Sequence, residues 1–240
     1  LLLNQVVNVI LFHFTGIAGL RAVLPVGAAI ILVAISMFLT FLGAYALSRK
    51  GWMGKRLVTL MIMFTMYFSG GIIAIYLWVQ QLHMIDTVWA ILLPTALSTY
   101  NLIVMRTAFA NVPESLIEAA RLDGASEFTC LFRIVIPLSQ ATIAVVLLFY
   151  AVSRWNDWMS ATIFLRTADL YPLQIFLREI LLTSSADNII STSGGSTNTV
   201  ALAETIKYAT IVISTAPILC IYPFIQRYFV TGVMIGGVKE

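Results

Sequence analysis

Charge is what this sequence has least of. Lys, Arg, Asp and Glu make up 10% of its 240 residues against 60% hydrophobic, and the mean hydropathy is +0.95. No water-soluble domain of this size needs so apolar a composition, so the chain is an integral membrane protein. The formal net charge of +3 is small, and the basic residues sit in connectors rather than along one face, which argues against nucleic acid as a partner. Cysteine is scarce: Cys130 and Cys220 lie far apart and are expected as free thiols. His13 and His83 are isolated, so no metal site is expected. A phosphate-binding G-x-x-x-x-G-K-[ST] loop is also missing, since Gly51-Trp52-Met53-Gly54-Lys55-Arg56 has the wrong spacing. No Ser-His pair, carboxylate pair or metal cluster lies inside an apolar run, which leaves an intramembrane enzyme without support, and no catalytic residue is expected.

What is present is a series of long apolar runs. A helix rises about 1.5 Å per residue, so roughly 20 apolar residues cross about 30 Å of hydrocarbon. Five runs qualify, at about 22–47, 57–79, 87–105, 134–153 and 208–226, and none contains Asp, Glu, Lys, Arg or His. The predicted fold class is an all-α, polytopic integral membrane bundle. Residues 1–21, whose apolar stretch is interrupted by Asn4, Gln5, Asn8 and His13, read as an extracytoplasmic or interfacial lead-in to a transmembrane domain over 22–240. The opening Leu1-Leu2-Leu3 lacks the basic flank of a signal peptide, and the natural N-terminus is expected to lie before it.

Basic connectors stay on the cytoplasmic side. Residues 48–56 carry Arg49, Lys50, Lys55 and Arg56, whereas 80–86 carry neither Lys nor Arg. Alternation then places loop 106–133 inside, segment 154–207 outside and the tail from Arg227, with the C-terminus, in the cytoplasm. Pro94, Pro217 and Pro223 should kink their helices. Ser69-Gly70-Gly71 permits close helix packing or local unwinding, and packing is the expectation. Outside, residues 170–182 form an amphipathic piece too short to span, followed by a polar stretch from Ser184 to Thr199 read as an exposed loop. Trp155, Asn156, Trp158 and Tyr171 are candidates for a substrate pathway by stacking on sugar rings, although Trp and Tyr also gather at every membrane interface.

The inner loop carries the densest pattern. Pro113 suits the first turn of a helix to about residue 122, with Glu114 and Glu118 toward its start and Arg121 near its end. Gly124 can adopt the conformation that stops it, and Ser126 can cap the next helix, which runs on to Pro137. Two helices should therefore meet at a hinge. An ordinary amphipathic surface helix would share the helix and the glycine, but the full spacing is more particular. Glu118-Ala119-Ala120, three residues, Gly124, nine residues, Ile134, one residue, Ile136 and Pro137 resemble the signature loop of permease subunits of binding-protein-dependent ATP-driven importers. Ile136 stands where that family more often has Leu. Nearly the whole chain is similar to the carbohydrate group of such permeases, the maltose permease G type. Three stretches, Tyr45 to Lys50, Phe149 to Trp158 and Tyr228 to Lys239, resemble its oligosaccharide-importing subgroup.

That resemblance implies a bundle of six spans, so one N-terminal helix beyond the five visible. It implies coupling to an ATPase through Glu114, Glu118, Ala119, Ala120, Arg121, Asp123 and Gly124, with a hinge at Ile134, Ile136 and Pro137. Arg121 and Asp123 would bind each other or the partner. The implied partners are a second permease subunit in a heterodimer, two copies of a cytoplasmic ABC ATPase, an extracellular or periplasmic solute-binding protein, and the bacterial cell membrane. ATP and magnesium would sit on the ATPase, and no cofactor on this chain. A proton-driven carrier would want intramembrane Asp, Glu or His, which the runs lack. A sodium-coupled carrier or a non-transporting scaffold is the alternative, and transport by the purified chain alone would favour the carrier.

Overall fold

In the computed structural model, the described residues are 17–49, 54–191, 207–212, 214–220, 222–223 and 226. Regular structure among them is helical throughout. The order is α1 (Ile17–Ser48), α2 (Lys55–Tyr67), α3 (Gly71–Gln81), α4 (Val88–Thr95), α5 (Thr99–Ala110), α6 (Glu114–Leu122) and α7 (Glu127–Cys130). A π-helical turn, Leu131–Val135, leads to α8 (Ile136–Leu138), α9 (Gln140–Trp155), α10 (Trp158–Phe164) and α11 (Leu173–Ser191). Helix α1 starts within the lead-in assigned to residues 1–21, because a lone Arg21 disfavours a span but not a helix. The stretch read as a loop from Ser184 is helical to Ser191; its strongest breakers, Gly194 and Gly195, lie beyond that point. Residues 1–16, residues 192–206 and the tail from Arg227, including the Tyr228 to Lys239 stretch, lie outside the described residues.

Among the described residues one segment, Gly27–Ser48, is long and apolar enough to cross a membrane unbroken. Three other runs are pairs of helices with sharp bends: 111° between α2 and α3, 52° between α4 and α5, and 88° before α9. Each bend has a local cause. At Phe68, Ser69 and Gly70 the chain unwinds, and Gly71 sits at φ +73°, so these glycines break the helix, Gly70 also lying close to Ala74. Pro94 lies inside α4, one residue before its end at the break. Pro137 removes a donor and crowds the carbonyl four residues back, Arg133, which lies within the π turn that absorbs the misfit. Just after it, the Ser139 N–H is shared between the carbonyls of Val135 and Ile136, both at 3.1 Å.

The chain divides into two units, one built from residues 31–78, 92–152 and 223–240, the other from 1–30, 79–91 and 153–222. The first has a core of Met37, Ala44, Tyr45, Leu102, Met105, Phe109, Ile117, Leu131, Val135 and Val146. Outward it shows Leu57, Leu60, Phe64 and Phe68, and α2 has no fully buried residue, as befits apolar surface meeting lipid or another membrane subunit.

Inside this unit runs a largely buried polar chain. The Thr40 hydroxyl donates to the Ser36 carbonyl at 2.7 Å, so at the 2.8 Å contact with Tyr150 the proton comes from the phenol. The Tyr150 oxygen in turn accepts the Ser98 N–H at 3.1 Å, satisfying a donor at the break between α4 and α5. Tyr150→Phe should therefore leave the half-buried Ser98 N–H without its acceptor, remove the donor that Thr40 accepts, and cost about 1–3 kcal/mol. Thermal unfolding of the detergent-purified protein will read the loss, and an unchanged midpoint would refute this account of the break.

In the second unit, Asp86 clasps the backbone at Arg166 and Thr167. Its Oδ1 accepts the backbone N–H groups of Arg166 and Thr167, each at 2.8 Å, and Oδ2 accepts the Thr167 hydroxyl at 2.6 Å. The Thr167 hydroxyl, then the two amides, hold this carboxyl below the usual carboxylate range. With the folded value depressed, the clasp contributes at pH above about 3.9 and is lost as pH falls through the lower, folded value. Hydrogen exchange at the Arg166 and Thr167 amides, corrected for intrinsic rates, should accelerate on that acidification. In Asp86→Ala it should be fast at every pH.

Candidate functional site

The site is built on α6. Glu114 lies in its first turn and Arg121 in its last, so both charges favour the helix dipole. Pro113 stands just before the first helical residue, with φ −55°. The end is a Schellman motif: the Gly124 N–H donates to the Arg121 carbonyl at 3.0 Å and the Ala125 N–H to the Ala120 carbonyl at 2.9 Å. Gly124 makes this possible at φ +81°, where an L side chain is strained. Ser126 then caps α7, its hydroxyl accepting the Thr129 N–H at 3.3 Å. The elbow is thus written in local sequence chemistry.

Only one residue of α6 is fully buried. Ile117 is 1% exposed and packs in the core of its unit, with Ala120 and Ala125 partly buried against the same cluster. At about 100° per residue, Ser115, Ala119 and Leu122 fall on the side opposite Ile117. All three are exposed, Leu122 at 90%. The outward stripe is therefore uncharged, flanked by exposed Glu118, whose side chain has no hydrogen bond or ion pair among the described residues.

Within the chain, Arg121 finds a carboxylate other than that of Asp123. Arg121 turns to Glu127, Nη2 to Oε1 at 2.6 Å, rather than to Asp123, because the Schellman turn brings α7 back beside the last turn of α6. The second Glu127 oxygen accepts the Tyr45 hydroxyl at 2.5 Å. This bond from Tyr45, and then the Arg121 guanidinium, hold the Glu127 carboxyl below its ordinary value. Arg49 lies over the Tyr45 ring at 5.0 Å and donates to the Phe109 carbonyl at 3.0 Å. Arg106 and Lys55 cap the end of α1, donating to the carbonyls of Leu47 at 3.2 Å and Ser48 at 3.3 Å. The Tyr45 to Lys50 stretch thus has a structural meaning over its described residues: it ties the end of α1 to α5 and α7. Sequence reasoning missed Leu122, Tyr45 and Glu127 as members of the site. Helical phase alone would have exposed Leu122, whereas nothing local pairs Tyr45 with Glu127.

The hinge candidates fall at a real irregularity. Ile134 is in the π turn, and Ile136 and Pro137 are in the short α8 just ahead of the 88° bend. Cys130 is buried beside them and Cys220 is exposed, both as free thiols.

In the other unit, the aromatic candidates are engaged by the protein itself. The Trp155 indole N–H donates to the Ser214 carbonyl at 2.9 Å, Arg178 stacks over the Trp158 ring at 3.8 Å, and Tyr171 tilts against Phe176 with its hydroxyl 3.4 Å from the Arg166 carbonyl. Asn156 lies in the turn between α9 and α10, its carbonyl accepting the Trp158 N–H at 2.9 Å. Among the described residues no three His, Cys, Asp or Glu side chains gather to hold a metal ion.

A helical membrane chain whose spans are interrupted by a short, amphipathic, outward-facing helix has the build of a transport subunit. The chain belongs to the binding-protein-dependent transport system inner membrane component family, which matches residues 36–235. It is 43% identical over 206 residues to the polygalacturonan/rhamnogalacturonan transport system permease protein YtcP of Bacillus subtilis, covering 86% of this chain and 72% of that protein. Protein LplC of the same organism is 41% identical over 207 residues, covering 86% and 69%. Among solved structures, a bacterial ABC transporter involved in the import of the acidic polysaccharide alginate matches with a TM-score of 0.75 at 31% identity, over 87% of this chain and 74% of that one. The chain is thus a multi-pass inner-membrane permease component of a bacterial ABC importer. It is not itself an enzyme, and it works with a partner permease, an ATPase and a solute-binding protein.

Proposed function

We propose that this chain forms half of the translocation pathway for an oligosaccharide and is driven by a cytoplasmic ATPase that grips α6. The observation that carries this is the two-sidedness of that helix: Ile117 anchors it to its own unit while Ser115, Ala119 and Leu122 stand exposed on the opposite side. Small Ala119 permits close approach of a partner surface, Leu122 offers apolar area to bury, and Glu118 is available to a basic group. Loop 106–133 and the C-terminus then lie in the cytoplasm, and the outer segment 154–207 faces the binding protein. The assembly is a heterodimer of permeases with two ATPase copies, and ATP and magnesium reside on those copies. The saccharide cargo is supported by two matched proteins, whose names refer to polygalacturonan or rhamnogalacturonan and to alginate.

The test is a cross-link. In the assembled importer with Cys220→Ser, a cysteine replacing Ala119 should join to the ATPase, and ATP should change the yield. A transporting complex in which that position never links to the ATPase would sink the proposal.

A further inference from the structure

At the elbow itself a Cβ placed on Gly124 would meet no atom within 4 Å, so the chain is held there by its backbone bonds and by the partial burial of Ala120 and Ala125 on either side. A push on α6 could be absorbed at this point and never reach the membrane helices. One side chain spans the gap. The Glu127 carboxylate lies just past the elbow, and it binds Arg121 just before the elbow through one oxygen and Tyr45 of α1 through the other.

We infer that Glu127, with Tyr45 and Arg121, is a strut that makes α6 and the spanning segment Gly27–Ser48 move as one body; this rests on the coupling role proposed for α6. An exposed Arg121–Glu127 pair would hold little by itself, since both side chains are about half exposed, at 46% and 52%, and can exchange their contact for water. Tyr45 changes that. Its ring is 8% exposed and lies within the core of its unit, and its hydroxyl fixes one carboxylate oxygen, so the other is already aimed when Arg121 meets it. Arg49 over the ring, bonded in turn to the Phe109 carbonyl, holds Tyr45 against α5. The path therefore runs from the exposed face of α6 through Arg121, Glu127 and Tyr45 into α1, crossing 82 residues of sequence in one hydrogen bond. Tyr45, Glu127 and Arg121 are positioning residues: they touch neither cargo nor nucleotide.

The experiment uses the assembled importer of both permeases and the ATPase, with Cys220→Ser. Spin labels go on cysteines replacing Leu116, on the flank of α6, and Ile31, on the exposed side of α1, and distances are read without nucleotide and after trapping with ATP, magnesium and vanadate. A rigid strut gives the same single narrow distance in both states. Tyr45→Phe and Glu127→Gln should each split or shift that distance on trapping, with the double variant no worse than either single one, as members of one path behave. Thermal stability of the singles should stay close to that of the parent, separating positioning from folding. A wild-type distance that changes on trapping overturns the strut. So does one that stays narrow and unmoved in both variants while the Ala119 cross-link to the ATPase still forms. Loss of that cross-link in the parent complex would instead overturn the coupling role, and the strut with it.

Discussion

Gly124→Pro should lower coupled import at least about tenfold while the protein still reaches the membrane. Proline holds φ near −65°, whereas this position sits at +81°, so the substitution requires a different turn rather than a strained version of the same one. It also deletes the N–H that donates to the Arg121 carbonyl at 3.0 Å, one of the two bonds of the Schellman motif. The consequences spread to both sides. The last turn of α6 loses its stop, and Arg121 no longer ends where Glu127 can reach it. The apolar runs are untouched, so insertion is retained and ATP hydrolysis continues without import. Hydrolysis and uptake measured together in reconstituted vesicles will show this, and a variant that keeps the parent's uptake per ATP would count against the role given to the elbow. Gly124→Ala separates the two causes. It keeps the N–H and meets no neighbour, so its penalty is the left-handed backbone alone, about 1–2 kcal/mol.

The second large effect is expected from Ile117→Ala. Ile117 is the only fully buried side chain of α6, in a helix of nine residues that is too short to be stable without its packing. Truncating a buried Ile to Ala costs about 2–5 kcal/mol, depending on how far the site can collapse. Here Cys130, Leu131 and Val112 belong to the same buried cluster and are held by their own elements, so the void should persist. The variant should unfold at lower temperature and lose the cross-link from the Ala119 position to the ATPase. Leu122→Ala makes the contrast. Leu122 is 90% exposed, so its truncation should change stability by no more than about 0.5 kcal/mol while weakening ATPase association. If both variants lost association equally with no difference in stability, the division of α6 into an anchoring and a presenting side would be wrong.

The parts of the site that were legible in the sequence are those whose physics is local. Pro113, Glu114, Arg121, Gly124 and Ser126 each act within one turn of their own position, through a fixed φ, a dipole, a left-handed turn or a cap. All appear in the structure where spacing put them. Ser69-Gly70-Gly71 was only half legible, because glycine permits close approach and unwinding by the same lack of a side chain. Its surroundings decided for a break of 111°. Arg121 shows the limit from the other side. Asp123 is its near neighbour in sequence, yet the carboxylate it binds is that of Glu127, placed by the fold of the elbow.

By itself the sequence determined that the chain is a helical membrane protein, that its long apolar runs are free of charge, and that a short polar helix ending at Gly124 lies between two of them. Composition and turn chemistry suffice for that, since each acts over a few residues or sums over many. Only the tertiary structure decided which side of α6 is anchored, how Tyr150 supports the break near Ser98, and that Tyr45 meets Glu127. Those contacts join residues 52 to 110 positions apart, and a hydrogen bond depends on distances that no residue's neighbours in sequence can set.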